Sequence, residues 1–294
     1  MESILLRRKA KRIALLWQLH NGEAHSTLLV ERRTGMTLQL LVSAVQKEPR
    51  ELVRRMQIES DAILIIQCGE NSYEEWEENG HTIYAYRFRE RGVGLSRNNA
   101  LMRADRDISV FSDEDIVYTE GYEQKILAEF EKYPAADMLL FNVDVCEERR
   151  TYHNDSFGRV RQYNCGRYPA YSFAVRTKKL HQKNIAFSLL FGGGAKYSNG
   201  EDSLFIRDCI RKGLKVYKVP VTIGQEVPRP STWFHGYDEK FFFDRGVLYY
   251  HLYGSLKKPL ALRFLLKNKS QMCGEISLKR AYALMKQGMR EAAE

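Results

Sequence analysis

Apolar positions in the central part of the chain follow two rhythms. Leu38–Val45 and 62–67 are near-continuous apolar runs, as expected of strands covered on both faces of a sheet. The stretch 82–88 alternates as a third strand, and 108–112 forms a fourth. Helical spacing occupies Pro49–Met56, 97–104, 122–133 and 204–212, and the acidic stretch 73–78 is expected to be a further helix. Later strands are predicted at 138–143, 170–175 and 214–223, with a polar excursion carrying local strands over 146–163. Strands alternating with helices at these lengths predict an α/β sheet, with ligands at the carboxyl ends of its strands.

The ends of the chain read differently. Residues 2–19 have the spacing of a basic helix, 26–31 is a short apolar piece of either type, and Thr34-Gly35-Met36 marks a boundary. After Gly246 helical spacing resumes, with Leu278, Ala281, Tyr282, Met285 and Met289 on one face. The expected organisation is a basic helical extension over 1–35, an α/β domain over 36–245 and a basic helical appendage over 246–294. No internal repeat and no low-complexity segment is found.

Charge sharpens this division. The net charge is +9, yet residues 1–33 carry seven Lys or Arg against three Glu, and 246–294 carry nine against three, leaving the middle near neutral. A basic protein invites a nucleic-acid reading, but the centre lacks a basic stripe with interleaved aromatics, so no nucleic-acid partner is expected. Basic flanking helices suit an anionic membrane surface or an acidic partner, and equally the packing or homodimer face of ordinary helices. Five scattered cysteines without a C-x-x-C pair argue against a disulfide framework or zinc site and for a reducing compartment. No apolar run approaches the ~20 residues that span a bilayer. Arg7-Arg8-Lys9 before the apolar block 13–17 imitates a secretory signal, but the block is short and no small-residue cleavage site follows. A cytoplasmic location is expected, with the inner face of a membrane as the peripheral alternative.

Candidate chemistry begins at Asp113-Glu114-Asp115, which closes the apolar run 108–111. A strand delivering carboxylates at i and i+2 points both to one side, and two oxygen ligands so spaced suit Mg²⁺ or Mn²⁺ when a diphosphate supplies more oxygens. An acidic surface turn is the plain alternative. Downstream, Gly192-Gly193-Gly194 precedes Gly200-Glu201-Asp202 and a helix. That carboxylate pair could be an N-cap with a first-turn acid. It could equally be a general base beside a glycine-rich loop that lets substrate approach the backbone.

Strand Leu38–Val45, the turn Gly94-Leu95-Ser96-Arg97-Asn98, the acidic triplet and the Gly-Gly-Gly-Ala…Gly-Glu-Asp element, in this order over roughly 36–246, resemble glycosyltransferase family 2, the inverting GT-A enzymes. The resemblance implies a Rossmann-like mixed sheet flanked by helices and a nucleotide-diphosphate sugar donor. It also implies a saccharide or lipid-linked saccharide acceptor, in cell-surface polysaccharide or glycan synthesis. Carried over by position, Asp113 and Asp115 would serve the metal, and Ser43, Ala44, Gln67, Gly94, Arg97, Asn98, Asp113 and Glu114 the donor nucleotide. Asp202 would be the base with Glu201 beside it. Where the family often has an acidic residue this chain reads Gln67-Cys68-Gly69-Glu70, which makes Glu70 a candidate substitute. His235 is the nearby histidine that could be a further metal ligand. Gly193, Gly194 and Trp233 would belong to acceptor loops, with Trp233 stacking on a sugar face or else anchored in the core. Arg97 or Lys196 would add positive charge at the phosphates, though Arg97 could instead pair with Asp105 or Asp107.

Two other classes are weighed. A sugar-1-phosphate nucleotidylyltransferase needs a glycine-rich loop with Arg and Lys after the first strand, which Ser43-Ala44-Val45-Gln46-Lys47-Glu48-Pro49 does not supply. A non-catalytic, glycosyltransferase-like binding or scaffold subunit would have no reason to keep Asp113, Asp115 and Asp202 together.

Overall fold

Leu38–Val45 (β1) is buried along nearly its whole length because it runs through the middle of a sheet. In the computed structural model, which describes residues 35–228 and 236–294, β1 pairs in parallel with Asp61–Gln67 (β2) on one side and Ile108–Asp113 (β5) on the other. The chain divides into two units, Met1–Arg33 and Thr34–Glu294, and everything described belongs to the second. The expectations for 2–19, 26–31, Ser231-Thr232-Trp233 and His235 lie outside the described residues.

The remaining described strands are Ser72–Glu78 (β3), His81–Phe88 (β4), Ile116–Tyr118 (β6), Met138–Asp144 (β7), Gly158–Arg159 (β8), Phe173–Arg176 (β9) and Val216–Glu226 (β10). Their order across the sheet is β3-β4-β2-β1-β5-β9-β7-β10-β6, with β8 also on β10. The sheet is mixed. β9 runs antiparallel to both β5 and β7, so β7 and its parallel neighbour β10 point the same way as β1 and β5. The carboxyl ends of β1, β2, β5 and β10 therefore share one edge. Apolar side chains cover both faces, Leu40, Val42, Leu64 and Ile66 on one and Leu41, Ile63, Phe111 and Phe173 on the other.

The helix expected at 73–78 is instead strand β3, antiparallel to β4. Six residues are too few to nucleate a helix without help, and Asn79-Gly80, both at positive φ, form the tight turn that closes a hairpin. Trp76 is buried with Arg50 over its ring at 4.5 Å. The strand expected at 170–175 starts only at Phe173, after a 3₁₀ turn at Ala170–Ser172 held by the Pro169 carbonyl.

Described helices flank the sheet: Pro49–Met56 (α1), Val93–Arg103 (α2), Tyr122–Lys132 (α3), Thr177–Gln182 (α4) and Glu201–Arg211 (α5). Glu48 caps α1 by accepting from the Glu51 N–H, and Pro49 fits the first turn, where no intrahelical N–H bond is lost. Farther along come Glu239–Tyr253 (α6), Lys257–Lys267 (α7), Lys269–Met272 (α8) and Leu278–Glu291 (α9), with a core of their own that includes Phe242, Ala261, Leu265, Ala281 and Met285. On the predicted face of α9, Ala281, Met285 and Met289 are buried, while Leu278 and Tyr282 are half-buried. Glycine lets α6 and α9 touch: a Cβ on Gly246 would collide with the Met285 backbone, and one on Gly288 with the Phe243 carbonyl. Helix α6 runs unbroken through Arg245 and Gly246, the junction drawn between domain and appendage.

Candidate active site

The shared carboxyl edge opens into a cavity of about 750 Å³. Ser43 and Val45 from the end of β1, Gln67 from β2, Asp113 from β5 and Glu226 from β10 all line it, as do Glu114, Asp115, Glu201 and Asp202. The parallel register makes this inevitable, since Ser43 lies level with Ile65 on one side and Asp113 on the other.

Arg97 organises the floor. Its guanidinium is 3% exposed and donates to Asp113 Oδ1 at 2.9 Å, Asp202 Oδ1 at 2.8 Å and Glu201 Oε1 at 3.1 Å. One cation thus joins the end of β5 to the start of α5. The pairing with Asp105 or Asp107 is not made, since Asp107 instead accepts from Thr37 and Asp105 from Arg106, while Arg97 lines the cavity. Burial works against the charge of Arg97, but Asp113, Asp202 and Glu201 outweigh it and hold the guanidinium above its ordinary pKa.

Three carboxylates around one guanidinium leave negative charge in excess, and Asp202 shows the consequence. Burial, then the charge of Glu201 and that of Asp113, push its pKa up to about 8, against the pull of Arg97 and the Ala170 N–H. A carboxyl with that pKa holds a proton strongly, and it is ionised and able to accept one as the pH rises toward 8.

Local sequence explains the placement. Gly200 caps α5 at φ +115°, so Glu201 and Asp202 occupy the first turn, facing the positive end of the helix dipole. Gly192, at φ +103°, lets the glycine loop press against Glu201: a Cβ there would lie 2.8 Å from Glu201 Cδ and from Val93 Cγ1. Gly193 lines the cavity, and its carbonyl accepts from the Val93 N–H at 3.0 Å, which ties the loop to the start of α2.

Several expected ligands turn out to hold the frame. Glu114 is buried and accepts from the Val45 N–H at 2.8 Å, fixing the end of β1 while still reaching the cavity wall. The chain leaves β5 after Asp113, so Asp113 and Asp115 are not two residues of one strand; a turn at 114–115 brings both to the cavity. Gln67 accepts from the Gly92 N–H at 2.7 Å. Asn98 clamps the Phe187 backbone, donating to its carbonyl and accepting from its N–H, and does not line the cavity. Gly94 is a close-approach glycine, since a Cβ would strike the Ser188 carbonyl. The Ala44 side chain lies in the core, and Gly194 sits at φ +82° and is not among the lining residues. Lys196 points away, paired with Glu291 at 3.1 Å, and Glu70 lies beside Arg87 at 3.8 Å, also outside the cavity. His235 and Trp233 fall outside the described residues.

The structure adds residues that sequence reasoning missed. Arg149 pairs with Glu226 at 2.8 Å, and both line the cavity together with Arg91, Thr151 and Tyr171. Glu226 had a legible signal as an acidic residue closing a strand of the sheet; Arg149, Thr151 and Tyr171 come from an irregular segment with none.

A mixed sheet with a cavity at the carboxyl ends of its parallel strands, lined by carboxylates from a strand end and a helix start, is the GT-A type of transferase architecture. Residues 70–191, less than half of the chain, match the family model for glycosyl transferase family 2, which identifies that region as glycosyltransferase-like. Among solved structures, residues 1–349 of S. aureus TarS align with a TM-score of 0.58 at 14% identity, covering 87% of this chain and 82% of that one. The same TarS portion in complex with UDP-GlcNAc aligns with 0.57 at 15% identity, covering 87% and 79%. A further structure of S. aureus TarS aligns with 0.57 at 14% identity, and this chain spans about half of that chain, 49%, with 88% of its own length. At such identities the likeness establishes the fold. No curated protein matches the sequence.

Proposed function

We propose that the chain transfers a sugar from a nucleoside-diphosphate sugar to an acceptor hydroxyl in one displacement that inverts the anomeric centre, with Asp202 as the base. The carrying observation is Asp202 itself: a carboxyl in the cavity floor, its pKa raised to about 8 and its position set by Arg97. Asp202 takes the acceptor proton as the new bond forms, and Glu201, on the same guanidinium, keeps the pair in register. One displacement needs no enzyme nucleophile. UDP and UDP-GlcNAc, the ligands of the TarS structures, are the first donor chemistry to test.

A divalent cation fits the donor set. Asp113 and Asp115 offer only oxygen, the ligand type of Mg²⁺ or Mn²⁺. Among the described residues no three His, Cys, Asp or Glu side chains converge on a metal position, so diphosphate oxygens would complete the shell. Such an ion would neutralise charge on the departing diphosphate. Assignment to cell-surface polysaccharide synthesis, with a saccharide or lipid-linked acceptor, rests on the family resemblance.

The test is release of nucleoside diphosphate from a panel of sugar donors, with the product anomer read by NMR. Inversion supports the proposal and retention overturns it. Pyrophosphate release instead would mark a nucleotidylyltransferase, and no turnover with any donor a binding subunit.

A further inference from the structure

Between Asp244 and Glu275 the chain carries six Lys or Arg and no Asp or Glu. The structure folds this stretch into the end of α6, a 3₁₀ turn at Gly254–Leu256, and helices α7 and α8. In α7, Ala261 and Leu265 point into the helical core and are fully buried. The opposite side is exposed and, unusually, apolar along its centre. Leu256, Leu262 and Leu266 are 60%, 38% and 58% exposed, with Pro259 between them, also exposed. Steps of three, three and four residues place these four on one helical stripe. Lys258 lies along one border of the stripe, and Arg263 and Lys267 along the other, all exposed.

We propose that this face of α7 docks on an anionic lipid bilayer, the leucines entering the headgroup boundary and the basic side chains reaching lipid phosphates. A one-sided apolar stripe flanked by cations is what an interfacial helix presents, and the absence of acid gives the charge complementarity that a lipid surface rewards. No helix among the described residues is long and apolar enough to cross a membrane, so attachment here is lateral. The helical unit is tied to the reaction site, because Leu248 of α6 packs on Gly200, immediately before Glu201 and Asp202. The proposal concerns a surface outside the cavity and stands whichever sugar is transferred.

The test uses the full chain. Sedimentation is measured with vesicles of phosphatidylglycerol and phosphatidylcholine in equal parts, and with pure phosphatidylcholine, at about 0.1 M and about 1 M salt, where screening shortens from roughly 10 Å to roughly 3 Å. Binding to the anionic vesicles at low salt, with release at high salt, is expected. Each basic side chain contributes about five-fold to such partitioning, so Lys258→Gln with Lys267→Gln should weaken it roughly 25-fold. Leu262→Gln with Leu266→Gln should weaken it at least about tenfold, and all variants should keep the parental melting temperature because the changed side chains are exposed. Equal binding to both vesicle types, no binding, or unaltered binding by the variants overturns the proposal. Concentration-dependent self-association lost in the leucine variant, without vesicle binding, would assign the face to a second copy of the chain and also overturn it.

Discussion

Replacing Asp202 by Asn tests base and electrostatics together. The folded carboxyl keeps its proton up to about 8, against an ordinary value of 3.8. Between those values the folded state binds more proton than the unfolded chain, so stabilisation present in acid is lost as pH rises through the folded pKa. One pH unit corresponds to ~1.4 kcal/mol, which sets roughly 4 kcal/mol as the upper limit between about pH 5 and about pH 8. Relaxation and water penetration around the carboxyl discount that limit, which brings the expectation to roughly 2–4 kcal/mol. Asn does not ionise and lacks this slope. The variant's stability relative to the parent should therefore rise by that amount from about pH 5 to about pH 8, measured by urea unfolding without nucleotide or metal. Sugar transfer by the same variant should fall on the order of 10²–10⁴-fold with donor affinity little changed. Parallel stability curves for the two proteins would refute the electrostatic reading, and a parental transfer rate would refute the base.

Arg97→Met leaves Asp113, Glu201 and Asp202 without their shared cation and should cost about 3–5 kcal/mol near pH 8. The loss should shrink in acid as carboxyls protonate; an equal loss at both pH values in urea melts would refute it. Asp115→Ala should remove the metal dependence of UDP binding, followed by titration calorimetry with and without Mn²⁺; metal dependence that persists removes Asp115 from the site. Gly246→Ala drives a Cβ into the Met285 backbone and should destabilise by at least about 1–3 kcal/mol, so a parental melting temperature would show that α6 and α9 cross less closely.

Much of the architecture was legible because it depends on local pattern. Apolar runs marked β1, β2 and β5 as buried parallel strands, and strand ends are where an open α/β sheet exposes functional groups. That logic singled out Asp113 and Asp115, and Glu201 and Asp202 at a helix start, and all four line one cavity. The miss at 73–78 was also local in origin, since Asn79-Gly80 announces a hairpin and an acidic composition was read over it.

What the chain order alone could not decide is who meets whom. Arg97 finds Asp202 across 105 residues of sequence and Glu201 across 104, and nothing in the Leu-Ser-Arg-Asn turn distinguishes a cation for a diphosphate from a clamp for carboxylates. Asn98, Gln67 and Glu114 likewise looked like ligand contacts but spend hydrogen bonds on the Phe187, Gly92 and Val45 backbones. The sequence by itself determined the alternation of strands and helices, the basic, acid-free stretch after Asp244 and the residue types available for chemistry, because these follow from periodicity and composition. Only the tertiary structure decided that three carboxylates close on one buried guanidinium, and with it the protonation of Asp202, because burial and charge proximity exist only once distant segments are packed together.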